Sequence, residues 1–175
     1  AAERIYGRGL SPNGVEYTAT FWDTDYVGSP NFVEIEYGGI RVDWQSDQSE
    51  EPTWPIYGSV GKVNMLLSIT DTPAMSFVDD VRTSKEGRFF LEITTDGATY
   101  PVVWRGIVTP DTLSNETDQG PVQRYSLTAV CGLGLLKKVP YYNAGTLYTG
   151  RAALAVHLTN ALKKLSHVST FWGAT

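Results

Sequence analysis

The sequence predicts a mainly β protein, a β-rich α+β chain. Its expected body is an antiparallel β-barrel or sandwich of about seven strands, with one short helix and one C-terminal helix. Three observations predict this. Apolar and polar residues alternate with period two through most of the first two thirds of the chain. Asn-Gly, Gly-Gly and Asp-Gly pairs punctuate the alternating runs. Apolar residues at helical spacing occur in only two stretches, one of them near the C-terminus.

Taken in chain order, Ser11-Pro12-Asn13-Gly14 is a turn, its Asn-Gly suited to positive φ. Val15–Trp22 follows, with Val15, Tyr17, Ala19 and Phe21 on one face and Glu16, Thr18, Thr20 and Trp22 on the other. Phe32–Tyr37 and Ile40–Trp44 alternate in the same way on either side of Gly38-Gly39. Two such runs joined by two glycines predict a hairpin, because type I′ and II′ turns need positive φ. The polar, acidic stretch from Gln45 to Trp54, with Pro52 and Pro55 about its end, reads as a surface loop. Val60–Thr70 is the next strand, with Val63, Met65, Leu67 and Ile69 on one side and Asp71-Thr72-Pro73 ending it.

Ser76-Phe77-Val78-Asp79 fits a variant of the capping box and predicts a short helix from about Phe77 to Ser84, with Gly87 closing the region. Arg88–Thr94 and Thr99–Val108 form a second strand pair around Asp96-Gly97, with Pro101 confining the start of the latter to an edge. Pro110–Pro121 reads as a polar loop and Val122–Val130 as the last clear strand. Thr149–Leu165 carries Leu154, Leu158, Ala161, Leu162 and Leu165 at helical spacing, with Lys163 and Lys164 where the helix dipole favours cations. These elements divide the chain into a β domain over residues 1–140 and a C-terminal helical segment over 141–175, expected to be either a lid on that core or the start of a further element of a longer chain.

Composition narrows the class of function. The 175 residues are 42% hydrophobic and 19% charged, enough apolar material for a core. One cysteine, Cys131, excludes an intrachain disulfide framework and a cysteine zinc site, and two histidines leave little for a metal centre. No signal-peptide pattern opens the sequence, and its longest mostly apolar stretch, Ser126–Leu136, is far short of a membrane span. Charge is uneven. Residues 1–50 hold nine acids against three bases, while the chain after Asp118 holds six bases and no acid. Either the two ends pack together in one monomer, or the back of one subunit meets the front of the next. Six dispersed bases make no nucleic-acid motif, so sequence-specific DNA binding is not expected.

Candidate chemistry is thin. The pairs Asp23/Asp25 and Asp79/Asp80 are the nearest approach to paired acid–base carboxylates, and each also fits a turn or a helix start. His157 and His167 lack ligand spacing. Gly132-Leu133-Gly134-Leu135-Leu136-Lys137 lacks the spacing and the Ser/Thr of a phosphate loop. Cys131 reads as a small buried hydrophobe. The five tryptophans and ten tyrosines fit core and interface anchors or a stacking platform for sugars. Neither catalysis nor a cofactor is expected.

Three stretches, in order, resemble a known family. They are Asp25-Tyr26-Val27-Gly28-Ser29-Pro30 with the glycine pair and Trp44 after it, Trp104-Arg105-Gly106-Ile107-Val108-Thr109-Pro110-Asp111, and Tyr125 through Lys137 with Tyr141-Tyr142 beyond. The chain in this respect is similar to the N-terminal region of tail-tip or baseplate-hub proteins of tailed bacteriophages and prophages. Those proteins carry a W-x-G-x-x-x-P-D-like and then a Y-x-x-x-x-A-x-D-G-L-x-x-L-K-like segment. Cys131 stands where that pattern has aspartate.

The resemblance, over roughly Tyr17–Leu165, implies a structural virion protein at the distal end of a phage tail, assembled in the bacterial host cytoplasm. It would form a trimeric or hexameric ring with its own copies and neighbouring tail proteins, without catalysis. In that setting Gly106 and Gly132 would allow close backbone approach, and Trp104 and Leu133 would be packing anchors. Arg105, Lys137 and Lys138 would be candidates for charged contacts between subunits. The alternative is an extracellular carbohydrate-binding β-sandwich module.

Overall fold

A computed structural model describes residues 1–11, 13–45, 58–96, 101–116 and 120–132, with the backbone of 142–143 and 146–147. The predicted terminal helix, Leu133, Lys137 and Lys138 lie outside the described residues, as does the predicted domain boundary near residue 140.

The chain is mainly β. Nine strands form one sheet: β1 (Ala2–Leu10), β2 (Glu16–Asp23), β3 (Asn31–Phe32), β4 (Glu34–Gln45), β5 (Gly58–Ser68), β6 (Phe89–Thr95), β7 (Val102–Val108), β8 (Ser114–Glu116) and β9 (Val122–Val130). Their order is β3-β1-β2-β6-β7-β9-β5-β4, with β8 also paired to β9. All neighbours are antiparallel except β1 and β3. A separate two-stranded ladder joins Tyr142–Asn143 to Thr146–Leu147.

Among the described residues these nine strands make one sheet, and its ladder is not closed. It is nonetheless strongly curled. The strands at the two ends of the order, β3 and β4, are separated in the chain only by Val33. The Val33 amide donates to the Tyr6 carbonyl of β1 at 2.8 Å. Farther along β1, glycine makes the seam tight. A Cβ at Gly7 would stand 2.6 Å from both the Val33 carbonyl oxygen and Ile35 Cγ1, too close for any side chain. This explains why β1 was not foreseen: two of its inward positions are Gly7 and Gly9, so its apolar alternation is erased where β4 lies against it.

Elsewhere the alternation holds. Ala19 and Phe21 of β2, Val63, Met65 and Leu67 of β5, and Leu127 and Ala129 of β9 are buried in one core. β6 places Phe89, Leu91 and Ile93 in that core and buries Phe90 on its other face as well.

The predicted Gly38-Gly39 hairpin is not formed. From Glu34 onward both runs belong to the single strand β4, which pairs with β5 from Glu34↔Leu66 and Ile35↔Met65 to Gln45↔Gly58. The register shifts between Ile35 and Ile40, so that residues 36–39 stand opposite Asn64 alone. Gly38 has the positive φ that the dipeptide promised, 67°, but spends it on a bulge that bends one strand without reversing the chain.

The helix also differs. Helix α1 spans Thr72–Thr83 and starts five residues before the predicted position. Asp71 is its N-cap and accepts from the Ala74 amide at 3.2 Å, with Pro73 in the first turn. Proline is tolerated there because the first-turn amides have no helical partner. Ser76 is therefore inside the helix, where its hydroxyl accepts from Arg4 Nη2 instead of capping. Ala74, Phe77, Val78 and Val81 form the buried face. The Phe77 ring meets Phe21 and Phe89, each at a centroid distance of 5.4 Å, closing one end of the curled sheet. Asp71→Ala is expected to cost about 1 kcal/mol, the usual worth of such a cap. Urea unfolding measures it, and Asp71→Ser should retain most of the stability.

The stretch predicted as a polar loop after Pro110 holds a 3-10 turn at Pro110–Thr112 and strand β8. β8 is three polar residues long, too short for alternation to register. At the end of the sheet where β1, β4, β6 and β9 finish, Leu10, Val15, Trp44, Val102 and Val103 are exposed.

Candidate functional site

The second segment and the described part of the third, Tyr125–Gly132, lie side by side. β7 and β9 pair at Ile107↔Val130 and Val108↔Ala129. Trp104, earlier on β7, lies beyond the residues paired with β9, and its indole crosses to β5 instead. The ring lies against Gly61 of β5 and Gly106 of its own strand, where added Cβ atoms would overlap it. Its Nε1 donates to Ser59 Oγ at 2.8 Å, so the one polar atom of a residue only 5% exposed is satisfied. Ser59 is tied in turn to Cys131: the Cys131 amide donates to the Ser59 carbonyl at 2.9 Å, and the Ser59 amide donates to Cys131 Sγ at 3.1 Å.

Trp104, Gly106, Ser59, Gly61 and Cys131 thus form one buried joint between β5, β7 and β9. Gly132, also buried, directly follows it. Sequence reasoning found Trp104 and Gly106 but not Ser59 or Gly61, because nothing local in Gly58-Ser59-Val60-Gly61 signals an indole arriving from 45 residues away.

Arg105 points to the opposite face of β7. Its Nε donates to Glu92 Oε2 at 2.6 Å across the β6–β7 pair, and Glu92 is itself only 9% exposed. The residue foreseen as a contact between subunits is therefore engaged within its own subunit.

Asp25–Pro30 of the first segment lies at the other end of the sheet, where two arginines gather Asp23, Asp25 and Asp80, while Asp79 faces Arg82 of the helix at 3.9 Å. Arg88 donates through Nε and Nη2 to the two oxygens of Asp23, both at 2.9 Å, a bidentate pair with a fully buried carboxylate. Asp25 and Asp80 approach the same guanidinium at 3.7 Å. These acids, the hydrogen bond that Arg88 donates to Asp23 first, raise the Arg88 pKa. Arg4 bonds Asp80 at 2.8 Å and lies 4.2 Å over the Tyr26 ring, whose hydroxyl donates to the Ser29 carbonyl.

Asp23, Asp25 and Asp80 are three of the four carboxylates whose pairing in the sequence suggests acid–base chemistry. The structure brings them together around cations, as a knot joining β1, β2, β6 and α1. Arg4 and Arg88 lie 76 and 65 residues from the acids they bind, so local sequence carries no sign of them.

A third ionic group fastens the β4 bulge. Arg124 of β9 bonds Glu36 through two nitrogens and Glu116 of β8 at 2.9 Å. The hydrogen bond from Arg124 is the main cause holding the Glu36 carboxyl below the ordinary carboxylate value of 4.5, against an opposing effect of burial. Arg124 is raised by the same contacts. A lowered folded pKa means that this link contributes stability above 4.5 and loses it as pH falls through the folded value. Titration of the Glu36 carboxyl followed by NMR should give a midpoint below 4.5, and Arg124→Met should return it to the ordinary range. An unshifted midpoint in the unaltered protein contradicts the link.

Along the β1–β4 seam lies a groove of about 240 Å³ whose lining includes Gly9, Leu10, Tyr17, Gly39, Ile40 and Arg41. It presents aliphatic and glycine surface with one phenol, one guanidinium and the Ser11 hydroxyl, which accepts from the Val15 amide at 3.1 Å, and its lining supplies no histidine or carboxylate to act as a base beside them. Among the described residues no group of three or more His, Cys, Asp or Glu is placed to hold a metal, and no helix is long and apolar enough to cross a membrane. Comparison of the chain with protein-family models, with curated proteins and with solved structures finds no match.

Proposed function

We propose that the chain is a structural component of a phage tail tip or baseplate hub, acting without catalysis in a trimeric or hexameric ring with its own copies and neighbouring tail proteins. The observation that carries this reading is the ordered set of three segments ending in Trp104-Arg105-Gly106 and Tyr125 through Lys137. The packing of the described residues supports it. Trp104, Gly106 and Cys131 build a joint between strands, and Asp23, Asp25 and Asp80 are taken up by Arg4 and Arg88. Of the residues that carry the resemblance, Trp104, Gly106 and Cys131 thus act on the shape of the sheet. The test is the assembly state of the full-length protein by mass photometry and negative-stain imaging. Closed rings are expected, and a strict monomer at high concentration overturns the proposal.

A carbohydrate-binding module is the second reading, favoured by Tyr37 and Trp44, which stand 78% and 71% exposed on β4. It requires glycan-array binding that Trp44→Ala abolishes. Trp104 is buried and Trp22 half-buried, which leaves Trp44 as the exposed tryptophan among the described residues.

A further inference from the structure

We draw no further inference here: the strongest candidate, the apolar rim of Leu10, Val15, Trp44, Val102 and Val103 at the end of the sheet where β1 and β4 finish, is exposed, but nothing in the structure shows what covers it.

Discussion

Arg88→Ala is expected to lower the unfolding free energy by about 3 kcal/mol, toward the lower end of what breaking a buried ion pair costs. The size follows from an asymmetry between the partners. Asp23 has no exposed side-chain surface, whereas Arg88 keeps 25% of its own. Removing the arginine strands a carboxylate where water cannot reach it. Removing Asp23 leaves an arginine that still has Asp25 and Asp80 beside it and some access to solvent. Asp23→Asn should therefore cost less than Arg88→Ala.

A double variant, Arg88→Met with Asp23→Leu, removes both charges and keeps most of the volume. It should recover a large part of the loss, because a buried pair and an apolar replacement are often nearly equivalent in stability. Chemical denaturation of the three variants, read as midpoint and slope, separates these cases. Costs that are equal for Arg88→Ala and Asp23→Asn, or a loss under 1 kcal/mol for the first, would contradict a buried Asp23 as the centre of the knot.

Each element's legibility in sequence follows from the range of the force that shapes it. β2, β5 and β9 were legible because one face of each meets the core and the other does not, and period two records that difference directly. The Gly38 bulge was half legible. The glycine announced positive φ, but the same backbone freedom serves a reversal or a bulge, and pairing with β5 on both sides of the irregularity decided between them. β1 was illegible for the opposite reason, since tight packing at the seam selects glycine, and glycine carries no hydrophobic signal. The start of α1 was masked by Pro73, a breaker in the interior of a helix and an acceptable residue in its first turn. The ionic knot was beyond local reading altogether. Asp23 and Asp25 looked like a turn and Asp79 and Asp80 like a helix start, and only the fold brings Asp23, Asp25 and Asp80 to Arg88. Trp104 and Gly106 were legible as a pair two residues apart, but the residue completing their joint, Gly61, belongs to a strand that does not hydrogen-bond to β7.

That joint gives the second large effect, and its sign is the informative part. Glycine within a strand weakens it, through backbone entropy and the lack of a side chain to pack. Replacing a strand glycine by alanine where the backbone is unstrained ordinarily stabilises by roughly 0.4–1 kcal/mol. Gly106 is not among the glycines with positive φ, so backbone geometry alone predicts that gain for Gly106→Ala. The indole reverses it. A Cβ on Gly106 would overlap the Trp104 ring, which is pressed on its other contact by Gly61 and pinned by the hydrogen bond to Ser59.

The ring cannot tilt without losing the Ser59 bond or leaving its place in the core, so the expected outcome is a loss of about 2–3 kcal/mol, the upper range for overpacking. Gly61→Ala should behave alike. If the ring is the cause, the penalty must vanish with it. In a Trp104→Leu background, Gly106→Ala should become neutral or stabilising, and the double-mutant cycle should give a coupling near the full penalty. A Gly106→Ala variant that is already stabilised with Trp104 in place would mean that the indole does not lie over this glycine. The joint between β5, β7 and β9 would then have to be held by other contacts.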